Sequence, residues 1–135
     1  MDHRKFMERC FQLAETARQR GDSPVGSLLV RRGQVIGEGI EGGKTHRDIT
    51  FHAEIEAVRS AVAALGSYDL TGCTLYTSHE PCLMCAYVIR HARISTVVMN
   101  QRSGEIGGVS SAYPLLTAND ISVWGKPPDI VHYGG

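Results

Sequence analysis

Two short segments of this chain carry the residue types of a metal-dependent hydrolytic site. The first is His52-Ala53-Glu54, and the second is Pro81-Cys82-Leu83-Met84-Cys85. An imidazole and two thiols are common ligands of zinc in proteins. Structural zinc sites are normally closed by four protein ligands, whereas a zinc ion held by three keeps one position open for water or substrate. The set therefore predicts a catalytic metal site.

The spacing within each segment predicts a different role for each residue. Cys82 and Cys85 are three positions apart, which places both sulfurs on one side of the first turn of a helix that Pro81 is expected to begin. Glu54 lies about 200° from His52 around an ideal helix, so both side chains cannot reach a metal from one helical face. Glu54 is therefore predicted to move protons. The predicted chemistry is hydrolytic exchange of C–NH2 for C=O with release of ammonia.

A structural zinc knuckle is the alternative interpretation of Cys82 and Cys85. It would need two further ligands at finger-like spacing. The remaining candidate histidines do not provide that spacing, and we expect them at the surface or around the site: His46, His79, His91 and His132. Cys10 and Cys73 stand in apolar surroundings and are predicted to be inert, buried thiols.

Size and charge limit the classes of protein to which the chain can belong. Its 135 residues predict a single domain over positions 1–135. Lys plus Arg and Asp plus Glu are both 14, so no net positive charge favours a nucleic acid partner. The first residues lead into an amphipathic segment and not into an apolar run, which predicts neither a signal peptide nor a membrane span. A cytoplasmic location is expected.

Hydrophobic periodicity predicts the element order α-β-β-α-β-α-β, with one further strand near the end. This order is typical of an α/β sandwich that begins with a β-hairpin and continues with parallel strands. The predicted helices cover residues 3–20, 52–66 and 81 onward, with a short helix at 112–117; the predicted strands cover 25–30, 34–40, 73–77, 94–99 and 130–133. Loops are predicted at 41–51 and 104–111.

Sequence similarity extends well beyond the two motifs. It includes Pro24-Val25-Gly26, the strand 35–39, the approach 48–55 and the segment 75–85. On these residues the chain resembles the cytidine-deaminase-like zinc deaminases, in the branch that contains tRNA adenosine deaminases, guanine deaminase and fungal cytosine deaminase. The resemblance covers roughly residues 5–112. It implies a three-layer α/β/α sandwich around a five-stranded mixed sheet.

The resemblance also implies site residues and an assembly. His52, Cys82 and Cys85 would bind one zinc ion per subunit, and Glu54 would be the proton shuttle. The carbonyl of Glu80 is expected near the departing amine. Substrate contacts are expected from five residues in total: Val25, Glu41, Ala53, Glu80 and Pro81. Members of this branch are usually dimers, so a homodimer is expected.

Two departures from the family pattern affect the expected substrate. Glu41 stands where these relatives commonly carry an asparagine that holds the substrate ring. Because an ionised glutamate only accepts hydrogen bonds, the substrate is expected to present an N–H group there. The sequence also stops at Gly135, where relatives continue into a terminal helix. We expect a pocket that is either open or completed by a partner subunit.

Three functions are compatible with the sequence. The sequence favours a deaminase of a free small amino-heterocycle, such as guanine or a related purine or pterin, cytosine, or a triazine. A tRNA wobble adenosine deaminase is the first alternative; zero net charge and the absent terminal helix argue against it. The second alternative is a zinc-stabilised, non-catalytic scaffold or partner subunit, against which the complete set of His52, Glu54, Cys82 and Cys85 argues.

Overall fold

The secondary structure follows the predicted order except for one short helix that lies within the predicted loop 41–51. The computed structural model describes residues 2–134 and contains helices α1 (His3–Gln19), α2 (Gly43–His46), α3 (Ala53–Leu65) and α4 (Leu83–His91). The strands are β1 (Gly26–Arg31), β2 (Gln34–Ile40), β3 (Thr74–His79), β4 (Thr96–Gln101) and β5 (Asp129–His132). Over the described residues, none of the helices has the length and apolar character that crossing a bilayer requires.

All five strands belong to one mixed sheet, with the order β2-β1-β3-β4-β5. Strand β1 pairs antiparallel with both β2 and β3, whereas β3, β4 and β5 are parallel. Helix α4 forms the crossover from β3 to β4. The expected five-stranded mixed sheet is therefore confirmed.

Helices cover both faces of the sheet, which gives the predicted three layers. Helix α1 packs on one face through a cluster that includes Phe6, Met7, Cys10, Leu13, Leu28, Val30, Tyr76 and Val98. Helices α3 and α4 pack on the other face, and this cluster includes Leu29, Ala57, Ala61, Leu75, Ala86, Ile89, Val97 and Met99. Successive strand residues therefore alternate between two buried faces, as in a sheet covered on both sides.

The predicted short helix at residues 112–117 is wrong. This stretch forms turns within the long connection between β4 and β5. Two of its backbone bonds explain why: the Leu116 N–H donates to the Gly108 carbonyl at 2.9 Å, and the Leu115 N–H donates to the Tyr113 carbonyl at 2.7 Å. The Leu116 N–H group bonds to a residue eight positions earlier and is not available for a helical hydrogen bond. The prediction had relied on the apolar residues of this stretch, which do not reveal that bond.

One end of the sheet gathers the segments that carry the candidate residues. The register pairs Gly26 with Ile40, Ser27 with Thr77, and His79 with Gln101. The start of β1 and the ends of β2, β3 and β4 therefore lie at the same edge. Ligand sites of α/β sheets commonly lie at the carboxyl ends of strands.

Close contact between β2 and α3 fixes where that helix begins. A Cβ atom on Gly39 would lie 1.9 Å from the Ala53 carbonyl oxygen, and one on Gly37 would lie 2.4 Å from the Ala57 carbonyl oxygen. Both distances are shorter than van der Waals contact allows, so only glycine fits at these positions. The absence of two side chains lets the first turn of α3 rest on the strand backbone.

We predict that Gly39→Ala lowers the free energy of unfolding by about 1 to 3 kcal/mol, because the added methyl group overpacks the contact with α3. Chemical denaturation measures the change. Val35→Ala is the control on the same strand, since Val35 is 44% exposed and should lose well under 1 kcal/mol, the usual limit for surface sites. Equal stability of Gly39→Ala and the parent chain would contradict the contact.

Candidate active site

Two candidate ligands occupy the same structural position on neighbouring helices. His52 is the N-cap residue of α3, and Cys82 is the N-cap residue of α4. The Glu56 N–H donates to the His52 carbonyl at 3.0 Å, and the Ala86 N–H donates to the Cys82 carbonyl at 2.7 Å. Two helix N-termini, each with a partial positive charge, therefore meet at the sheet edge.

Pro81 does not lie in the first turn of α4, as the sequence had suggested. The helix begins at Leu83, so Pro81 precedes the N-cap residue. Cys82 has φ −72° and ψ 178°, an extended conformation that separates the proline from the helix. Cys85 then falls in the first turn, where its thiol faces the thiol of the N-cap cysteine.

The three candidate ligand atoms have the separations that a tetrahedral zinc site requires. The Sγ atoms of Cys82 and Cys85 are 3.7 Å apart, and His52 Nδ1 lies 3.5 Å from the first and 3.4 Å from the second. Zn–S bonds of about 2.3 Å and Zn–N bonds of about 2.05 Å in tetrahedral geometry give S···S separations of about 3.8 Å and S···N separations of about 3.6 Å. The residues therefore fit zinc.

Mutual contact strongly shifts the pKa values of these three groups. The hydrogen bond between the two thiol groups lowers the pKa of Cys82 to about 4, and His52 acts in the same direction. That contact, with burial, raises the pKa of Cys85 well above its usual range. The hydrogen bond to Cys82 raises the pKa of His52 to about 9. Zinc binding displaces such protons, because its ligands are thiolates and neutral imidazole.

Glu54 is a buried carboxyl group beside this set. Its side chain belongs to the first turn of α3 and is 5% exposed. Burial raises the pKa of Glu54 to about 7. A general acid–base group works best when its pKa lies near the operating pH. Glu54 thus has the properties of a group that accepts and returns a proton.

A cavity of about 190 Å³ opens onto these groups. It is lined by Ser23, Val25, Glu41, His52, Glu54, His79, Glu80, Cys82, Ser103 and Ile106. Of the expected substrate contacts, three therefore reach the cavity: Val25, Glu41 and Glu80. Ala53 and Pro81 are buried and do not line the cavity. Contact of any of the five with substrate stays a prediction.

Glu41 also has a local structural role. Its Oε2 atom accepts a hydrogen bond of 3.1 Å from the Gly43 N–H, at the first residue of α2. This hydrogen bond therefore orders the start of α2, in the connection between β2 and His52. Whether the substrate donates a hydrogen bond to Glu41, as the sequence predicts, stays a prediction.

Glu80 has a role that sequence reasoning missed. Its side chain is 1% exposed and accepts hydrogen bonds from Ser103, Val109 and Ser110. Burial acts to raise the pKa of Glu80, but these hydrogen bonds outweigh it and hold the pKa below the ordinary value. The backbone carbonyl of Glu80 accepts from Ser103 Oγ at 2.7 Å. Its expected place near a departing amine stays a prediction.

Of the four histidines expected at the surface or around the site, only His79 lines the cavity. His46 and His91 are exposed and stack on Phe51 and Tyr87, and His132 Nε2 donates to the Asn100 carbonyl at 2.7 Å. His79 is half-buried and lines the cavity, and burial lowers its pKa. Among residues 2–134, no group of His, Cys, Asp and Glu side chains other than His52, Cys82 and Cys85 has the spacing to bind a metal ion.

A three-ligand metal site beside a buried carboxyl group, within an α/β/α sandwich, is characteristic of zinc-dependent hydrolytic deaminases. The sequence profile described as "Cytidine and deoxycytidylate deaminase zinc-binding region" matches residues 1–101. The chain belongs to this deaminase family, and zinc is its cofactor.

Similar proteins include both tRNA and nucleobase enzymes. A "tRNA-specific adenosine deaminase" from Streptococcus pyogenes serotype M1 is 35% identical over 83% of this chain and 66% of its own length, so this chain spans about two thirds of that relative. A solved chain from a study of A-to-I editing by tRNA:A34 deaminases has a TM-score of 0.88 and 32% identity, covering 98% of this chain and 99% of that one. Guanine deaminase from Bacillus subtilis has a TM-score of 0.72 and 40% identity, covering 76% and 66%.

The expectation of a free amino-heterocycle as substrate, with no nucleic acid partner, is wrong. Six curated relatives are named tRNA-specific adenosine deaminase, and the tRNA:A34 deaminase structure is matched over nearly its whole length. Both arguments against tRNA therefore fail. Zero net charge is an average over the whole surface, whereas binding of RNA depends on where individual cations lie. This chain covers 99% of the length of the tRNA:A34 deaminase structure, so the lack of a terminal helix is no argument against tRNA.

We predict that Cys82→Ala removes the bound zinc, because the two remaining protein ligands no longer define the site. Elemental analysis after dialysis should fall from about one zinc per chain, the expectation for one catalytic site, to nearly none. Cys73→Ala is the matched control, since Cys73 is 1% exposed in the core, and it should keep its zinc. Full zinc content in Cys82→Ala would contradict the ligand assignment.

Proposed function

We propose that this protein converts adenosine to inosine at the wobble position of tRNA anticodons. The observation that carries the proposal is the match, over 98% of this chain, to a tRNA:A34 deaminase structure. The six curated relatives named tRNA-specific adenosine deaminase support the same substrate. The guanine deaminase covers a smaller share of the chain at a lower TM-score.

His52, Cys82 and Cys85 are proposed as the zinc ligands. When bound, zinc supplies a Lewis acid that activates water at neutral pH. Glu54 takes one proton from the attacking water and delivers it to the purine ring nitrogen next to the reacting carbon. It then moves the second proton, from the added hydroxyl group, to the amine, which departs as ammonia while the C=O group forms. The balanced reaction is adenosine plus water giving inosine plus ammonia.

Enzymes of this chemistry must take the target base out of the stacked anticodon loop. Glu54 lines the cavity, and several loops form the other walls, among them the loops that carry Ser23, Glu41 and Ile106. Ile106 is 59% exposed, which gives an apolar contact at the mouth of the cavity. A base that enters this space is shielded from water on the side of the ligand atoms.

Exposed cations stand beside the residues that line the cavity. Lys44 and Arg47 follow Glu41 within the same connection, and Arg102 directly precedes Ser103. All three side chains are exposed. Such cations neutralise backbone phosphates and dominate the affinity of proteins for RNA. These three side chains place positive charge near the cavity, although the net charge of the chain is zero.

We also infer a homodimer and a cytoplasmic location. Tyr87 on α4 is 53% exposed, Tyr68 is 67% exposed, and both border an apolar recess between α3 and α4. Exposed aromatic side chains around an apolar recess are typical of protein interfaces. A protein that acts on tRNA also meets its substrate in the cytoplasm, which supports that location.

We predict that the zinc-loaded protein forms inosine in a tRNA transcript with adenosine at the wobble position, and that Glu54→Gln loses this activity by at least about a hundredfold while retaining zinc. Inosine is measured by nuclease digestion and mass spectrometry. Glu56→Gln is the matched control, because Glu56 lies on the same helix and pairs with Arg59 outside the cavity.

Free adenosine, guanine and cytosine serve as competing substrates in the same assay. Deamination of a free base together with an unchanged tRNA transcript would overturn the proposal. Loss of inosine formation on changing the wobble adenosine to guanosine establishes the position of the reaction.

We predict that the double variant Lys44→Glu, Arg102→Glu binds tRNA more weakly and with a smaller salt dependence. The slope of log affinity against log salt should decrease by about 1 for each phosphate contact removed. Arg31→Glu, Arg32→Glu is the matched control, because these exposed residues lie at the β1–β2 turn, at the opposite end of the sheet. Equal salt slopes for the two double variants would remove Lys44 and Arg102 from the interface.

A further inference from the structure

One wall of the cavity is a loop that has almost no regular secondary structure. This pocket-wall loop, residues 102–110, follows β4 and contains a single 3-10 turn at Gly104–Ile106. Ser103 and Ile106 from this loop line the cavity. The position of the loop therefore determines the width of the space in which a nucleotide would bind.

The carboxylate of Glu80 lies beneath this loop. Its Oε1 atom accepts from the Ser103 N–H at 3.2 Å and from Ser110 Oγ at 2.7 Å. Its Oε2 atom accepts from the Val109 N–H at 2.9 Å and from the Ser110 N–H at 2.8 Å. Within residues 2–134 no Lys, Arg or His forms an ion pair with it. One side chain thus gathers donors from both ends of the loop.

Backbone contacts tie the same loop to the segment that leads into α4. The Gly108 N–H donates to the Pro81 carbonyl at 2.8 Å, and Gly107 forms an isolated bridge with Cys82. A Cβ atom on Gly107 would lie 2.0 Å from Glu80 Oε2. The loop is therefore held against the residue that carries a zinc ligand thiol.

Glu80 connects two parts of the cavity that are distant in the sequence. The carboxylate oxygens bond to the pocket-wall loop, while the backbone of Glu80 begins the segment that ends at Cys82. An apolar side chain at this position would leave three backbone N–H groups and a hydroxyl group without their acceptor. Glu80 fixes the distance between the cavity wall and the zinc-ligand segment.

We propose that Glu80 is a positioning residue that holds the pocket-wall loop in the conformation that binds the target nucleotide. The inference rests on the proposed tRNA function for its kinetic consequence, but the effect on the loop itself is independent of the substrate. Glu80 acts through Ser103, Val109 and Ser110, and it does not act on the reacting atoms.

The test compares Glu80→Gln with Glu105→Gln in the full-length, zinc-loaded protein. Glutamine has nearly the shape of glutamate, but in either orientation its NH2 group faces donors of the loop. Glu105 is an exposed carboxylate on the same loop, so its variant controls for the loss of charge. Two quantities are measured: amide hydrogen exchange of residues 102–110, and the kinetics of inosine formation in tRNA.

Glu80→Gln is expected to speed exchange of the Ser103, Val109 and Ser110 amides by about tenfold or more, the effect of losing hydrogen bonds to a charged acceptor. Exchange in β3 and β4 and the zinc content should not change. KM for tRNA should rise about tenfold, with kcat altered less than about threefold, because binding is impaired and the chemical step is not. Glu105→Gln should match the parent chain in every respect.

A second variant covers the case in which Glu80→Gln does not fold. Ser110→Ala keeps the carboxylate and removes one of its donors, so it should shift exchange and KM in the same direction by a smaller factor. Unchanged loop exchange in both variants, or a fall in kcat without a rise in KM, would overturn the proposal. If the parent chain forms no inosine in tRNA, the proposed function fails, while the exchange comparison still decides the role of Glu80 in the loop.

Discussion

The site depends on the meeting of two helix N-termini at one point above the sheet edge. His52 and Cys82 both occupy N-cap positions, so their side chains and the positive ends of α3 and α4 converge. The glycines of β2 allow the start of α3 to rest against the strand backbone. Cys85 in the first turn of α4 completes the set at distances that suit zinc. Small shifts of either helix would separate the three ligand atoms.

Around this fixed centre, the walls of the cavity come from loops. The connection after β2 contributes Glu41 and the pocket-wall loop contributes Ser103 and Ile106. Hydrogen bonds order both segments: Glu41 binds the first turn of α2, and Glu80 binds both ends of the pocket-wall loop. The candidate zinc ligands thus lie at the starts of regular helices, whereas the cavity walls are irregular chain held in place by buried polar groups.

The grouping of His52, Cys82 and Cys85 was predictable because they lie in two short motifs, although His52 and Cys82 are extended N-cap residues and not members of the helices. The turns at residues 112–117 were not predictable, because Leu116 bonds to Gly108 and not along a helix. The role of Glu80 depends on partners 23 to 30 positions away, which local patterns do not reveal. The prediction of the substrate relied on net charge, which does not report where exposed cations such as Lys44, Arg47 and Arg102 lie on the surface.

The central claim is that three protein groups hold the metal and leave one coordination position open. X-ray absorption at the zinc edge of the purified protein measures this directly. We predict two sulfur neighbours at about 2.3 Å, one imidazole nitrogen at about 2.0 to 2.1 Å, and one further light atom. Addition of a substrate analogue should change only the light-atom contribution. Four protein ligands, or a spectrum with three or four sulfurs, would contradict the account.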